Sequence, residues 1–483
     1  MPDQLTALDA TFLELEQADD SAHMHIGGVL LFEPHGSGGA PPLELIRRNT
    51  EARLPLLPRY RQRLSEPRTS GITWPSWVQD EHFQVAHHVR RAALPGPGGE
   101  QELREWAGDY FSQRLDRARP LWELTEVELA DGRWALVTKT HHCLVDGVGS
   151  VDMAYALLDA EREGSELPTE PAGSPDQSPG SPAMPLPPPV RAAGRAAQRT
   201  LALARRFGSG LRGFAGETAS AAAHPRQALA HSRALVEVLI RDELVSAPRT
   251  SINDPIGAHR SLAVLEVPLV RLKRIRSELG GTVNDVVLAA TSGGLRKLLL
   301  AREEEPPSEG LRAMVPVNIR AASEHLQMGN KITSLFVHLP VAEEDPRRRF
   351  ERQMAEAETL KSGSQAQGSR TMIDLAAHLP PMLHTFLARS LFATRLFNVT
   401  ITNVPGPQQP LYCLGSRMLA VWPLVPIAAE HGVGLAVFSY DGTLFFCLNA
   451  DRDTMPDLDV LREGIEQSIE ELAELAGVGV EAR

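Results

Sequence analysis

Thr138-Lys-Thr-His141-His142-Cys-Leu-Val-Asp146-Gly147 closes a strand pattern and opens a turn. Side chains alternate along a strand, so Trp134, Leu136, Thr138, Thr140 and His142 share one face. Ala135, Val137, Lys139 and His141 share the other. The two imidazoles therefore point opposite ways and take different tasks, one facing a substrate and one anchoring the strand end. An imidazole titrates near neutral pH, so a positioned histidine can take a proton from a hydroxyl and return it to a leaving group. Asp146 follows across a turn in which Gly147 and Gly149 allow positive φ and close backbone approach, so its carboxylate can hold that turn in shape. The pair His87–His88 has no Asp-Gly after it and reads as ordinary core or surface histidine.

Outward from the motif, strands Leu121–Leu129 and Arg133–His141 flank Asp131–Gly132, which predicts a two-residue hairpin. Pro120-Leu121-Trp122 enters the first of these strands, with Trp122 expected in the core. Ser150 is the N-cap of an expected helix through Asp159, which puts the histidines at a strand-to-helix junction. Upstream, His25–Phe32 reads as a strand and Leu43–Leu54 as a helix. In the second part, Thr282 opens a helix through about Leu300. Met314–Ile319, Ile332–Leu339, Asn398–Asn403, Gly434–Tyr440 and Thr443–Asn449 read as strands. Asp441–Gly442 joins the last two in a second hairpin of the same design, and Leu458–Leu475 is a closing helix.

At 483 residues the chain exceeds one hydrophobic core. The expected division is 1–165, an N-terminal domain carrying the histidines; 166–244, a Pro-rich linker with a basic amphipathic helix; and 245–483, a C-terminal domain. Two α/β halves with antiparallel hairpins point to an α/β (α+β) sandwich. Hydrophobic content of 42% and charged content of 23% are those of a soluble globular protein. The net charge of −12 argues against a general nucleic-acid binder. Cys143, Cys413 and Cys447 are odd in number and far apart, which leaves neither a disulfide framework nor a zinc spacing and suits a reducing compartment. The acidic start (Asp3, Asp9, Glu14, Glu16) does not read as a signal peptide. No apolar run approaches a membrane span; the nearest, Leu419–Glu430, contains two prolines. The expected location is the cytoplasm, with any membrane contact peripheral.

Residues 167–190 are rich in Pro, Ser and Gly, and no acidic residue occurs from Ser178 to Gly216. On a helix, Arg191, Arg195, Arg199, Arg205, Arg206 and Arg212 gather on one side, opposite Val190, Ala193, Ala197, Leu201, Ala204, Phe207 and Leu211. Two readings stay open: a helix lying on an anionic membrane, or one docked on its own domain with its arginines in water. The GxGxxG at Gly208–Gly213 lacks a preceding strand and is no dinucleotide site. Farther on, Thr282 and Asp285 form a capping box that leaves the Asn284 amide available to a substrate. Val315-Pro-Val-Asn-Ile-Arg320 is a strand ending in arginine, and Asn403-Val-Pro405-Gly406-Pro407 a turn fixed by its prolines.

Together these residues resemble the bacterial wax ester synthase/diacylglycerol acyltransferase family over nearly the whole chain. The resemblance runs through LDATFL (Leu8–Leu13), HMHIGG (His23–Gly28), PLWE (Pro120–Glu123), HHCLVDG and NDVVLA (Asn284–Ala289). It continues through VPVNIR, GN (Gly329–Asn330), NVPGP and SYDG (Ser439–Gly442). HHxxxDG also occurs in condensation domains of peptide synthetases and plant-type acyltransferases, but PLW and NVPGP in this order are specific. The Pro-rich segment is the main departure.

The resemblance implies a chloramphenicol-acetyltransferase-like fold, two similar halves enclosing a central substrate channel with the histidines in its middle. It implies transfer of a long-chain acyl group from acyl-CoA to diacylglycerol or a fatty alcohol, making triacylglycerol or wax ester. Acyl-CoA is then a co-substrate, with no metal and no bound organic cofactor. His142 becomes the general base, His141 acts through the structure of the turn, and Asp146 pairs with an arginine, Arg320 being the candidate, while Gly147 shapes the turn. Asn284, with Asp285, faces the acyl group or the oxyanion. Pro120, Leu121, Trp122, Asn403, Pro405 and Gly406 are supports, and Arg195, Arg199 and Arg206 contact a membrane or lipid-droplet surface. Acceptor preference, chain length and oligomeric state are not encoded in any of these motifs.

Other chemistries fit less well. Adjacent histidines diverge on a strand and do not make a tetrahedral zinc site. A Cys143 nucleophile beside His142 is conceivable, though direct attack on a thioester needs no covalent step. No GxSxG elbow is present. The alternatives carried forward are a condensation-type enzyme using a carrier-protein thioester, and a non-catalytic lipid- or CoA-binding droplet protein.

Overall fold

Helix α1 (Ala7–Ala18) begins at Thr6, whose hydroxyl accepts the Asp9 N–H at 3.2 Å. The computed structural model describes residues 4–65, 74–144, 156–163, 247–318, 332–362 and 396–479. These all fall in one unit of the chain, Met1–Leu167 with Val245–Arg483. The other unit, Pro168–Leu244, contains the segment expected to form the basic helix, with Arg195, Arg199 and Arg206, and lies outside the described residues.

After α1 come β1 (His25–Phe32), α2 (Leu43–Arg53), a small pair β2 (Gln62–Leu64) and β3 (Trp77–Gln79), α3 (Val85–His88), β4 (Val89–Ala93), α4 (Glu100–Phe111), β5 (Trp122–Glu128) and β6 (Trp134–His141). The second part supplies β7 (Arg260–Pro268), α5 (Leu269–Leu279), α6 (Val283–Ala301), β8 (Leu311–Asn318), β9 (Ile332–Leu339) and α7 (Pro346–Ser362). It ends with β10 (Val399–Pro405), β11 (Tyr412–Cys413), β12 (Ser416–Leu424), β13 (Val433–Tyr440), β14 (Thr443–Asp451) and α8 (Leu458–Leu475). Two six-stranded sheets result, in the orders β11-β12-β1-β6-β5-β4 and β7-β14-β13-β10-β8-β9. The mixed α/β architecture expected from the alternating patterns is what forms.

The first sheet takes strands from both parts of the chain. β12 pairs antiparallel with β1, Val29 opposite Trp422, so the segment from residue 245 onward contributes to both sheets. The sequence reading saw only an apolar run in this region. Met418, Ala420, Trp422 and Leu424 do alternate into the core, but Val421 between them is buried as well and Pro423 interrupts the run, which blurs the period of two. β14 lies between two cores and is buried on both faces. Phe445 and Cys447 belong to the core of the first sheet, while Leu444, Phe446 and Leu448 belong to that of the second. Helices α6 and α8 pack together in the second core.

The two Asp-Gly hairpins differ in design. Tyr440 pairs with Thr443, and Asp441 (φ 43°) and Gly442 (φ 81°) are both left-handed, the two-residue turn expected. At the other, the Leu129 N–H donates to the Arg133 carbonyl at 2.8 Å and only Gly132 (φ 84°) is left-handed. That loop is the three residues Ala130–Gly132, not two, a turn followed by a left-handed glycine. The expected helix from Ser150 is described only from Ala156, and its far end is not helical: Asp159 and Tyr412 exchange backbone hydrogen bonds of 2.7 and 2.8 Å. In β8, the ladder to β10 stops at Met314, and Pro316 beyond it has no N–H to donate.

Candidate active site

β6 delivers the two histidines as its alternation requires, and each is held differently. The His141 N–H donates to the Leu121 carbonyl at 2.9 Å and the His142 N–H to the Met24 carbonyl at 2.8 Å. The strand end is therefore bolted on one side by the Pro-Leu-Trp segment and on the other by the His-Met-His segment before β1. Trp122 itself is core. It is 1% exposed, donates its indole N–H to the Tyr60 carbonyl at 2.8 Å and stacks on His88. His88, buried with Nδ1 2.8 Å from the Trp122 carbonyl, is a packing histidine, as the missing Asp-Gly suggested.

His141 is buried and fully engaged. Its Nδ1 accepts the Cys143 N–H at 3.1 Å, so the ring carries its proton on Nε2, which donates to the Glu16 carboxylate at 2.7 Å. Glu16 also takes Arg117 at 2.9 Å and lies 3.6 Å from Arg114 and 3.7 Å from His25. Burial alone would raise its carboxyl. The His141 hydrogen bond, the charges of His141 and His25 and the Arg117 bond outweigh that and hold it well below the usual carboxylate range. His25 is also pushed down, well below the ordinary histidine value, because burial disfavours its charge and His141 and Lys139 add to that.

His142 has a different environment. Its ring stacks on Phe12, centroids 3.8 Å apart and planes 16° apart, and Nδ1 is buried. Burial drives its pKa down to about 4; its own backbone carbonyl pulls upward and His141 adds to the fall. At neutral pH the ring is uncharged and able to accept a proton. No described residue hydrogen-bonds its Nε2.

Phe12 and Glu16 are the site residues that reading the sequence missed. They sit one helical turn apart on α1, and the signal was the i, i+4 spacing within LDATFLELE that brings both to one face. Only the contact with β6 gives that face a purpose.

Cys143 is no nucleophile. Its thiol is buried and pushed well above its ordinary pKa, first by burial and then by the charges of Asp9 and Glu16. Cys143→Ala is expected to retain turnover within a few fold, and the folded protein should resist alkylation of this thiol by iodoacetamide. Rapid labelling with parallel loss of activity would reinstate the thiol.

A second cluster forms on the other sheet. Asn403 in β10 donates its amide to Asn284 Oδ1 at 3.2 Å, leaving the Asn284 NH2 group free to donate. Asp285 does not share that freedom: its Oδ2 accepts the Thr282 N–H and hydroxyl, each at 2.7 Å, completing the capping box of α6. Behind Asn403, the Gly406 N–H donates to Ser439 Oγ at 3.1 Å. A Cβ on Gly406 would lie 2.3 Å from the Ser439 carbonyl oxygen, so only glycine fits there. Gln408 Nε2 bonds Ser439 Oγ at 3.1 Å, and its Oε1 accepts the Gly442 N–H at 3.2 Å. The NVPGP and SYDG segments thus brace one another, with Pro405 pairing opposite Ser439.

Asp146, Gly147 and Arg320 lie outside the described residues, as do Arg195, Arg199 and Arg206. Among the described residues no group of three His, Cys, Asp or Glu side chains is arranged to hold a metal ion, and no helix is long and apolar enough to cross a membrane.

With this geometry in hand, known proteins give a consistent answer. Residues 5–287 match the model of the wax ester synthase/diacylglycerol acyltransferase catalytic domain, and residues 328–473 that of the C-terminal domain of the same family. The chain is 33% identical to a probable diacylglycerol O-acyltransferase of Mycobacterium tuberculosis, tgs1, over 98% of its own length and 96% of the relative's. In structure it is similar to the wax ester synthase/diacylglycerol acyltransferase of Marinobacter aquaeolei VT8, with a TM-score of 0.68, 27% identity and coverage of 98% and 100% of the two chains. The first condensation domain of the CDA synthetase shares the fold, at a TM-score of 0.58 and 18% identity, with 99% and 97% covered. This chain, with its paired histidines, belongs to the wax ester synthase/diacylglycerol acyltransferase family.

Proposed function

We propose that this protein transfers a long-chain acyl group from acyl-CoA to the hydroxyl of diacylglycerol or a fatty alcohol, with His142 as general base. The observation that carries the reading is the uncharged His142 ring, stacked on Phe12 with its backbone N–H held by the Met24 carbonyl and Nε2 bonded by no described residue. The names of the M. tuberculosis and M. aquaeolei relatives support the substrate classes. In this mechanism the acceptor hydroxyl gives its proton to Nε2 as its oxygen attacks the thioester carbon. The tetrahedral oxyanion receives the Asn284 amide N–H. Collapse breaks the carbon–sulfur bond, and the imidazolium returns the proton to the leaving CoA thiolate, so that ester and free CoA depart. The two site clusters, one from each sheet, would line the central channel that the family resemblance implies. Asp146, in the turn after His142, would pair with Arg320.

Purified protein offered palmitoyl-CoA with hexadecanol or dioleoylglycerol tests the reading directly. Release of free CoA with formation of ester supports it and excludes an obligatory carrier-protein thioester. No turnover with either acceptor would overturn it.

The acceptors barely exist free in water, and Arg191–Arg212 would bring the enzyme to an anionic membrane or lipid droplet. Arginines near an anionic surface contribute on the order of 1 kcal/mol each. Replacing Arg195, Arg199 and Arg206 by glutamate should release the protein from anionic vesicles and spare activity on short, soluble alcohols. Co-sedimentation that survives the triple change would return the helix to a purely internal role.

A further inference from the structure

Helix α1 carries no residue of the histidine motif, yet it reaches both histidines. Phe12 covers one face of the His142 ring at 3.8 Å, and Glu16 takes the Nε2 proton of His141 at 2.7 Å. We propose that α1 is a clamp, in which Phe12 and Glu16 are positioning residues that set the ring plane of His142 and the tautomer of His141. The proposal rests on His142 being the general base.

The two contacts solve different physical problems. Backbone bonding fixes where His142 begins but leaves its ring free to turn about the side-chain torsions. A stacked aromatic removes that freedom and keeps water from one ring face. Phe12 is itself held against Leu15, Ala22 and Met24, the last supplying the carbonyl that takes the His142 N–H. Ring and backbone of the base are thus referred to the same small apolar cluster.

At His141 the issue is the proton. Nδ1 is taken by the Cys143 N–H, so Nε2 must donate, and a buried donor left without an acceptor would be costly. Glu16 is that acceptor, and Arg117 and Arg114 balance its charge. Held by Glu16 on one nitrogen and by the Cys143 N–H on the other, the His141 ring fixes the turn that leaves His142. Other charged or titratable groups at this corner are Asp9 on α1, His23 and His25 at the start of β1, and Lys139 on β6. None of these is placed to replace Glu16 on Nε2.

The test uses the full chain with 15N-labelled histidine, so ring protonation is read by NMR independently of turnover. In the unaltered protein His142 should titrate near 4 and His141 should show a single tautomer with its hydrogen on Nε2. Phe12→Ala admits water to the ring and should move the His142 midpoint upward by about one pH unit or more. Its kcat should fall on the order of 10- to 100-fold with little change in KM. Phe12→Tyr should restore both. Phe12→Leu keeps the apolar contact with Leu15 and Met24 and covers the case in which alanine unfolds α1; it should still lower kcat. Glu16→Gln should mix the His141 tautomers and lower kcat in the same way. The clamp is overturned if Phe12→Ala and Phe12→Leu leave both the His142 midpoint and kcat unchanged, or if Glu16→Gln leaves the His141 tautomer pure at full kcat. Failure of the base reading looks different: the ring signals would shift as expected while His142→Ala stays active.

Discussion

His142→Ala is expected to lower turnover by about 10²- to 10⁴-fold, the usual contribution of a positioned general base, while the protein stays folded. The side chain is half-buried at the edge of the first core, and its removal leaves the Met24–His142 backbone bond in place. Circular dichroism and melting temperature should therefore change little. The pH profile carries the sharper signature. The basic form of His142 is present above its folded pKa of about 4, so the acid limb of kcat/KM should lie near that value, well below 6.5. The linkage sign differs from that of activity. Between 6.5 and about 4 the unfolded chain binds a proton that the folded ring refuses, so acidification through this window costs stability. Activity should hold there as long as the protein stays folded. A fully active His142→Ala protein would remove His142 from the role, whereas an acid limb near 6.5 in the unaltered enzyme would show that the ring is less desolvated than its burial implies.

His141→Ala should behave otherwise. It strips Glu16 of a hydrogen-bond partner in a buried site already crowded with arginines, and breaks the Cys143 N–H bond that shapes the turn. Its loss should appear in melting temperature as well as in rate. Opposite faces of one strand are thus the reason two adjacent histidines answer to different assays, and this much was readable from side-chain alternation alone.

Other parts of the molecule were readable for similarly local reasons. His25–Phe32 and Ile332–Leu339 appear as strands at the expected bounds, and Thr282 caps α6 through Asp285, because each pattern is decided by near neighbours in sequence. What escaped depends on distant partners. In β12 the alternation of Met418, Ala420, Trp422 and Leu424 is blurred by Val421 and Pro423, and the ladder that settles it comes from β1, some four hundred residues away in sequence. Glu16 looked like one acid among several in an acidic start. Its meaning lies in His141 and in Arg114 and Arg117, two segments that only the folded sheet brings to it. The Asp131–Gly132 turn failed for a subtler reason: Asp-Gly favours a left-handed glycine in either loop, and the register of the flanking strands decides whether two or three residues are left over.

Asn284→Ala is expected to cost about 2.7–4 kcal/mol of transition-state stabilisation, on the order of 10²- to 10³-fold in kcat, with acyl-CoA affinity nearly unchanged. The argument is geometric. Asn284 follows the helix cap, and its Oδ1 is committed to the Asn403 amide, which turns its own NH2 group away from that bond. Capping is carried by Thr282 and Asp285, so the alanine variant should keep its melting temperature. A carbonyl oxygen that gains charge as the thioester is attacked would draw more from that N–H than the ground-state carbonyl does, which is why kcat rather than KM should respond. Asn403→Ala should act in the same direction but less, because the donor remains and only its orientation is loosened. If Asn284→Ala instead lowers the melting temperature and the remaining folded protein turns over normally, the residue belongs to the helix start and the oxyanion must find its donor elsewhere.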